Sequence, residues 1–193
     1  MKRMRLILAV SMLLMLSLAG AALAAEMGPG DAMHRSLGFG FHNVEAPIGL
    51  RWWFSGQKVG LDLGFGFDSE PAAIDPDEKV TGFALEAGVP FVCHSWERVH
   101  ALIRPGILYQ SQEVGFDSDP GAGFTFDTET VTAFDLSLEA EAEVFLADNM
   151  SVSAAHGLRF RSVDPGFGAD SQTSFTTLGN NFTTIGFHIY LYK

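Results

Sequence analysis

From Thr132 to Leu146 the chain alternates without a break. The stretch reads TAFDLSLEAEAEVFL: Phe134, Leu136, Leu138, Ala140, Ala142, Val144 and Leu146 take the even positions, and Asp135, Ser137, Glu139, Glu141 and Glu143 the odd ones. A period of two is a β-strand with one apolar and one polar face. Three glutamates on one face have no place in an ordinary protein core, because a buried charge without a partner is costly. They suit the wet interior of a barrel whose outside is lipid.

The N-terminus reads as a secretion signal over residues 1–24. Lys2, Arg3 and Arg5 precede an apolar run, Leu6–Leu18, and Ala22-Leu23-Ala24 has the small-x-small pattern of a cleavage site. The run is short for a membrane span, which needs about 20 apolar residues. A mature chain starting at Ala25 has 169 residues (193 − 24), enough for one domain. The segment removed holds three of the 12 Lys and Arg and none of the 23 Asp and Glu, so the mature charge is 9 − 23 = −14. That charge excludes nucleic acid as a partner, since phosphate binding needs clustered cations. Cys93 is the only cysteine, so no intrachain disulfide forms, and nothing near it in sequence would activate its thiol.

Eight strands are expected, at 35–42, 47–55, 58–68, 80–92, 98–114, 130–147, 151–163 and 182–193, with 25–34 a flexible lead-in. Short turns follow the second, fourth and sixth strands: Gly56-Gln57, Cys93–Glu97 and Asp148–Met150. Longer Asp-, Gly-, Pro- and Ser-rich loops follow the third, fifth and seventh: 69–79, 115–129 and 164–181. Short turns at one end and long loops at the other are the arrangement of a transmembrane barrel, with the loops extracellular and both termini periplasmic. The short connection at 43–46 breaks the pattern.

Sorting each strand by parity puts residues such as Phe39, Trp52, Phe65, Leu85, Val89, Ile103, Leu158 and Ile189 on one face, and nearly all strand charges on the other. The strand glycines, among them Gly38, Gly64, Gly66, Gly88 and Gly106, share the charged face. In a soluble lipocalin-like barrel that face would be in water, where glycine only weakens a strand. In the cramped interior of an eight-stranded barrel, glycine makes room for long side chains crossing the lumen. The reading is therefore an all-β, eight-stranded, antiparallel up-and-down transmembrane barrel, with the charged face inward.

Paired residues on a hairpin must face the same way, so turn length sets the register. A two-residue type II′ turn at Gly56-Gln57 places Arg51 opposite Asp62. A five-residue turn after Val92 pairs it with Arg98 and places Glu86 opposite Arg104. A three-residue turn at Asp148–Met150 places Glu139 opposite Arg159, with Arg161 on the diagonal between Asp135 and Glu139. With Glu141 and Glu143 these residues form an expected ion network in the lumen. Trp53, His100, Leu102, Leu108, Phe145 and His188 share the inward parity and should help to plug it.

The chain resembles the family of small eight-stranded outer-membrane barrels of the OmpA/OmpX type, over essentially all of 35–193. Its last strand, Ile185–Lys193, is similar to the signal read by the barrel-assembly machinery: Gly186, Ile189 and Leu191 match the glycine and two apolar positions, and Tyr192 supplies the aromatic end. The resemblance implies an outer-membrane location. It implies as partners the surrounding lipid and lipopolysaccharide, and the assembly machinery and periplasmic chaperones during biogenesis. The peptidoglycan-binding domain of longer members is not expected.

Some small barrels modify lipid A, which requires a histidine, a serine and a carboxylate at the lipid boundary. His156 faces lipid, but Ser153 and Glu143 face the lumen, and His94 and Ser95 sit in a turn at the other end. The acidic segments Asp75–Glu78 and Asp117–Asp119 lack the spacing of a defined calcium loop. No catalytic, cofactor or metal residue is assigned. The expected role is non-enzymatic: an anchor displaying acidic loops for envelope integrity or adhesion, with a narrow channel and a lipid-modifying enzyme as the alternatives.

Overall fold

A computed structural model describes residues 35–54, 56–118, 125–177 and 184–192. The expected signal segment and lead-in, 1–34, lie outside them. Ten strands follow one another: β1 (Arg35–Phe41), β2 (Ile48–Trp53), β3 (Gly60–Pro71), β4 (Lys79–Gly88), β5 (Phe91–Ser95), β6 (Val99–Asp117), β7 (Phe126–Ala147), β8 (Met150–Asp164), β9 (Gln172–Thr176) and β10 (Thr184–Tyr192). Every pairing is antiparallel, and β10 bonds both β8 and β1, so the sheet closes on itself. β4 and β5 share β6 as partner, and β9 and β10 share β8, so the wall has eight staves. Among the described residues there is no helix.

Three expectations about the strands change. The fourth strand, expected unbroken over 80–92, is interrupted at Val89-Pro90. Proline has no N–H to give to the ladder. Val89, expected on the lipid face, is buried there, and its N–H reaches Pro105 O instead. The turn Gly56-Gln57 is wider than a two-residue type II′ turn: the last bonded pair is Phe54–Val59, and both Gly56 and Gln57 have positive φ (84° and 53°). Part of each long loop is strand. β3 reaches Pro71 and β6 Asp117, β7 begins at Phe126, β8 ends at Asp164, and β9 lies wholly inside 164–181. The remaining parts at 119–124 and 178–181 lie outside the described residues.

The outside of the wall is apolar and the inside carries the charges. Leu85, Trp52, Ile103, Leu138 and Ile189 are each 47–48% exposed, whereas Arg51, Asp62, Arg104 and Asp135 are 0–2% exposed. Such a surface is stable only against hydrocarbon, where closure of the ring gives each stave a neighbour on both sides. The chain is a transmembrane barrel. At ~3.3 Å per residue and ~40° of tilt, the outward run Val99–Tyr109 rises about 25 Å, the height of a lipid-facing band.

The rim is uneven. β6 and β7 have 19 and 22 residues, β1 and β2 only 7 and 6. The short β1–β2 connection is explained by its direction, because residues 42–47 fold into the barrel. His42, Asn43 and Ala46 are buried. Asn43 Oδ1 accepts from Ala46 N (2.6 Å), and Pro47 O accepts from His42 N (3.3 Å), which holds the turn closed. Gly66 of β3 makes room for it, since a Cβ there would stand 2.3 Å from Glu45 O.

Candidate functional site: the sealed lumen

Arg51 and Arg104 lie side by side at the centre of the lumen. Arg51 pairs in register with Asp62. Its Nε and Nη2 donate to the two Asp62 oxygens (both 2.8 Å), and Nη1 and Nη2 donate to Glu141 (2.8 and 3.0 Å). Glu143 Oε2 is 3.5 Å from Nη1. Arginine suits this position because its planar fork can bind two carboxylates edge-on.

Arg104 spans three strands. Nε donates to Asp62 (2.7 Å), Nη2 to Glu86 (2.6 Å) and Nη1 to Glu139 (3.2 Å). The expected register of Glu86 opposite Arg104 does not occur. β5 extends to Ser95, which pairs with His100, so Val92 meets Leu102 and Glu86 meets Leu108. The slip keeps parity, and the long guanidinium still reaches Glu86 on the diagonal. Gly88 accommodates the crossing, because a Cβ there would lie 2.6 Å from the Arg104 guanidinium.

The Glu139–Arg159 pair does not form either. The turn is the two residues Asp148-Asn149, and a bulge between Phe145 and Ala147 shifts the register, so Glu139 meets Gly157 and Arg159 meets Ser137. Glu139 instead accepts from Arg104 and from Ser137 Oγ (2.7 Å). Arg159 approaches Asp135 (3.6 Å) and Glu45 (3.8 Å). Arg161 is directly opposite Asp135 and binds it through Nε and Nη2 (2.7 and 2.8 Å); Nη2 also donates to Gln110 Oε1 (2.9 Å).

Below this web, towards the short turns, lie Trp53, Leu102, Phe145 and Tyr190. Tyr190 donates to Glu143 (2.5 Å), which also accepts from Ser151 (2.6 Å), and Trp53 Nε1 donates to Tyr190 Oη (3.3 Å). Above it, the 42–47 turn closes the lumen from the rim side. His42 Nε2 is 2.7 Å from Arg104 Nη2, and Asn43 donates to Glu86. The lumen is thus blocked by an apolar floor, an ionic middle and a backbone lid. Sequence reasoning missed the lid and Tyr190. Its one available signal was the anomalous shortness of 43–46.

The other sequence candidates stay apart. His156 lies on the exposed outer face opposite Ala140, while Ser153 and Glu143 are buried on the inner side of the same wall. Cys93 is exposed. Among the described residues no cluster of His, Cys, Asp or Glu has a geometry that could hold a metal. In the terminal strand Gly186 is buried facing Ser153, Ile189 and Leu191 face outward, and Tyr192 pairs with Arg35 through the backbone.

Comparison with protein-family models finds no match, and neither does comparison with curated proteins. Among solved structures the chain is similar to a major outer membrane protein from Thermus thermophilus, with 18% identity and a TM-score of 0.39 over 80% of this chain and 96% of that one. The fold assignment rests on the closed wall and its inverted polarity.

Proposed function

We propose that this chain is an outer-membrane barrel with a non-enzymatic role, anchoring its long hairpins at the cell surface for envelope integrity or adhesion. The observation that carries the reading is the sealed lumen. A conduction path would have to displace two arginines that hold four carboxylates at 2.6–3.2 Å. The separation of His156 from Ser153 and Glu143 by the wall supports a role without catalysis. The export signal and the terminal-strand signature support the outer membrane as address, with the β3–β4, β6–β7 and β8–β9 hairpins outward and the termini in the periplasm. Their acidity (Asp75, Asp77, Glu78, Asp117, Asp127, Glu129) suits a hydrated surface that repels anions. Reconstitution into planar bilayers should give no discrete conductance, and lipid A from a deletion strain should keep its mass spectrum. Stepwise single-channel currents would replace this reading with a channel, and a changed lipid A mass with an enzyme.

A further inference from the structure

Beyond the apolar band the two faces of the wall exchange character. On the outside, Phe83 is followed towards the rim by Thr81, Tyr109 by Ser111 and Glu113, and Phe160 by Ser162, with Thr132 and Thr130 beside them on β7. Glu113 accepts from both the backbone N–H and the hydroxyl of Thr81 (3.0 and 2.7 Å), bonds that hold its carboxyl below the usual range. On the inside, Ala84, Val131, Ala133 and Val163 interrupt the polar rows, beside Asp68, Gln110, Gln112 and Arg161. A polar outside and a partly apolar inside are the pattern of a soluble cup. Here it stands on top of a barrel with the opposite pattern.

These inner residues line a cavity of about 450 Å³, within the range of small-molecule sites. Its floor is the 42–47 turn and the Arg161–Asp135 pair, which are shared with the sealed lumen. Gln110, Ala133 and Val163 form one rung across it, each in register with the next. The charges decide what fits. Arg161 is already bound by both Asp135 oxygens and by Gln110 Oε1, and Glu45 and Asp68 add two carboxylates. An anion entering would meet more carboxylates than cations. The Gln110 and Gln112 amides remain for a neutral polar group.

We propose that this cup binds a short single-chain amphiphile with an uncharged head, its chain against Ala133 and Val163 and its head at Gln110 and Gln112. This goes beyond the display role, and its failure leaves the sealed lumen standing. The test uses the full barrel in nanodiscs, Cys93→Ser, with an environment-sensitive fluorophore on Val163→Cys. Titration with 1-octanol should give a saturable blue shift. Octanoate should bind at least about tenfold more weakly, since its charge would be buried beside carboxylates. Ala133→Trp, which fills the cup, should abolish the response, while Thr132→Trp on the outer face should leave it intact. Retained heat-modifiable mobility shows that each variant is folded. Discs of brominated phosphatidylcholine separate the sources. Quenching before titration that octanol relieves identifies chains from the leaflet, and no prior quenching identifies a solute; either supports the site. A response that never saturates, an equal affinity for octanoate, or an unchanged response in Ala133→Trp would overturn it. So would a label that is blue-shifted from the start and insensitive to octanol, because the chain or a second copy would then occupy the cup.

Discussion

Arg104→Met probes the ionic middle of the barrel at its most connected point. Methionine keeps most of the side chain's length and removes every donor. Glu86 is left with Asn43 and His42, Glu139 with Ser137, and Asp62 keeps Arg51. Two buried carboxylates therefore lose their arginine. Removing one partner from a dry ion pair costs about 3–5 kcal/mol. Arg161→Met is the internal control. Its side chain is 27% exposed, and its one carboxylate, Asp135, retains Arg159 at 3.6 Å. Water screens that loss, which should be about 1 kcal/mol or less. The gap of about 3 kcal/mol is roughly a hundredfold in the unfolding equilibrium. Urea titration of liposome-reconstituted barrel, followed by gel mobility and tryptophan fluorescence, measures it. Adding Glu86→Gln and Glu139→Gln to Arg104→Met should recover most of the loss, because neutral amides no longer strand a charge. Equal costs for the two arginine variants, or no recovery from the amides, would refute the claim that the web's energy lies in charge pairing in a dry lumen.

The register makes a second prediction: a double-mutant cycle should find Glu139 coupled to Arg104 by about 1 kcal/mol or more and to Arg159 by about zero, because only the first pair touches. The inward turn makes a third. Ala46→Cys in a Cys93→Ser background should resist a thiol reagent, and adding Gly66→Val should make it label, because the new side chain must push Glu45 out of the barrel; unchanged protection would show that the turn is held by something other than the glycine gap. Topology makes the fourth. Cysteines at Ala73 and Ser171 should label with an impermeant reagent on whole cells and one at Asn149 only after the outer membrane is broken; the reverse pattern would invert the barrel.

Parity was legible in the sequence almost everywhere. Arg51, Asp62, Arg104, Asp135, Glu139, Glu141, Glu143 and Arg159 all point inward, because a strand cannot change face without a bulge. The Arg51–Asp62 register was also legible. The wider turn takes one more residue from each side, and the sum of paired positions is unchanged. Pairing across the other two hairpins was not. The extension of β5 to Ser95 and the bulge beside Leu146 each moved the register by an even number of residues, which preserves face and changes partner. Nothing in a local window distinguishes such shifts, since both registers satisfy the same alternation.

The sequence by itself determined that alternating strands bury charge and show hydrocarbon, hence a closed barrel in lipid. That follows from a period of two and from the rule that backbone groups in a membrane must be paired. Only the tertiary structure decided how the lumen is sealed. Arg104 joins Asp62, Glu86 and Glu139 across three staves, and the 42–47 turn lies over them. Those contacts depend on which strands become neighbours and on how far each slides along the next. Both are set by closure of the whole ring, and no single hairpin carries that information.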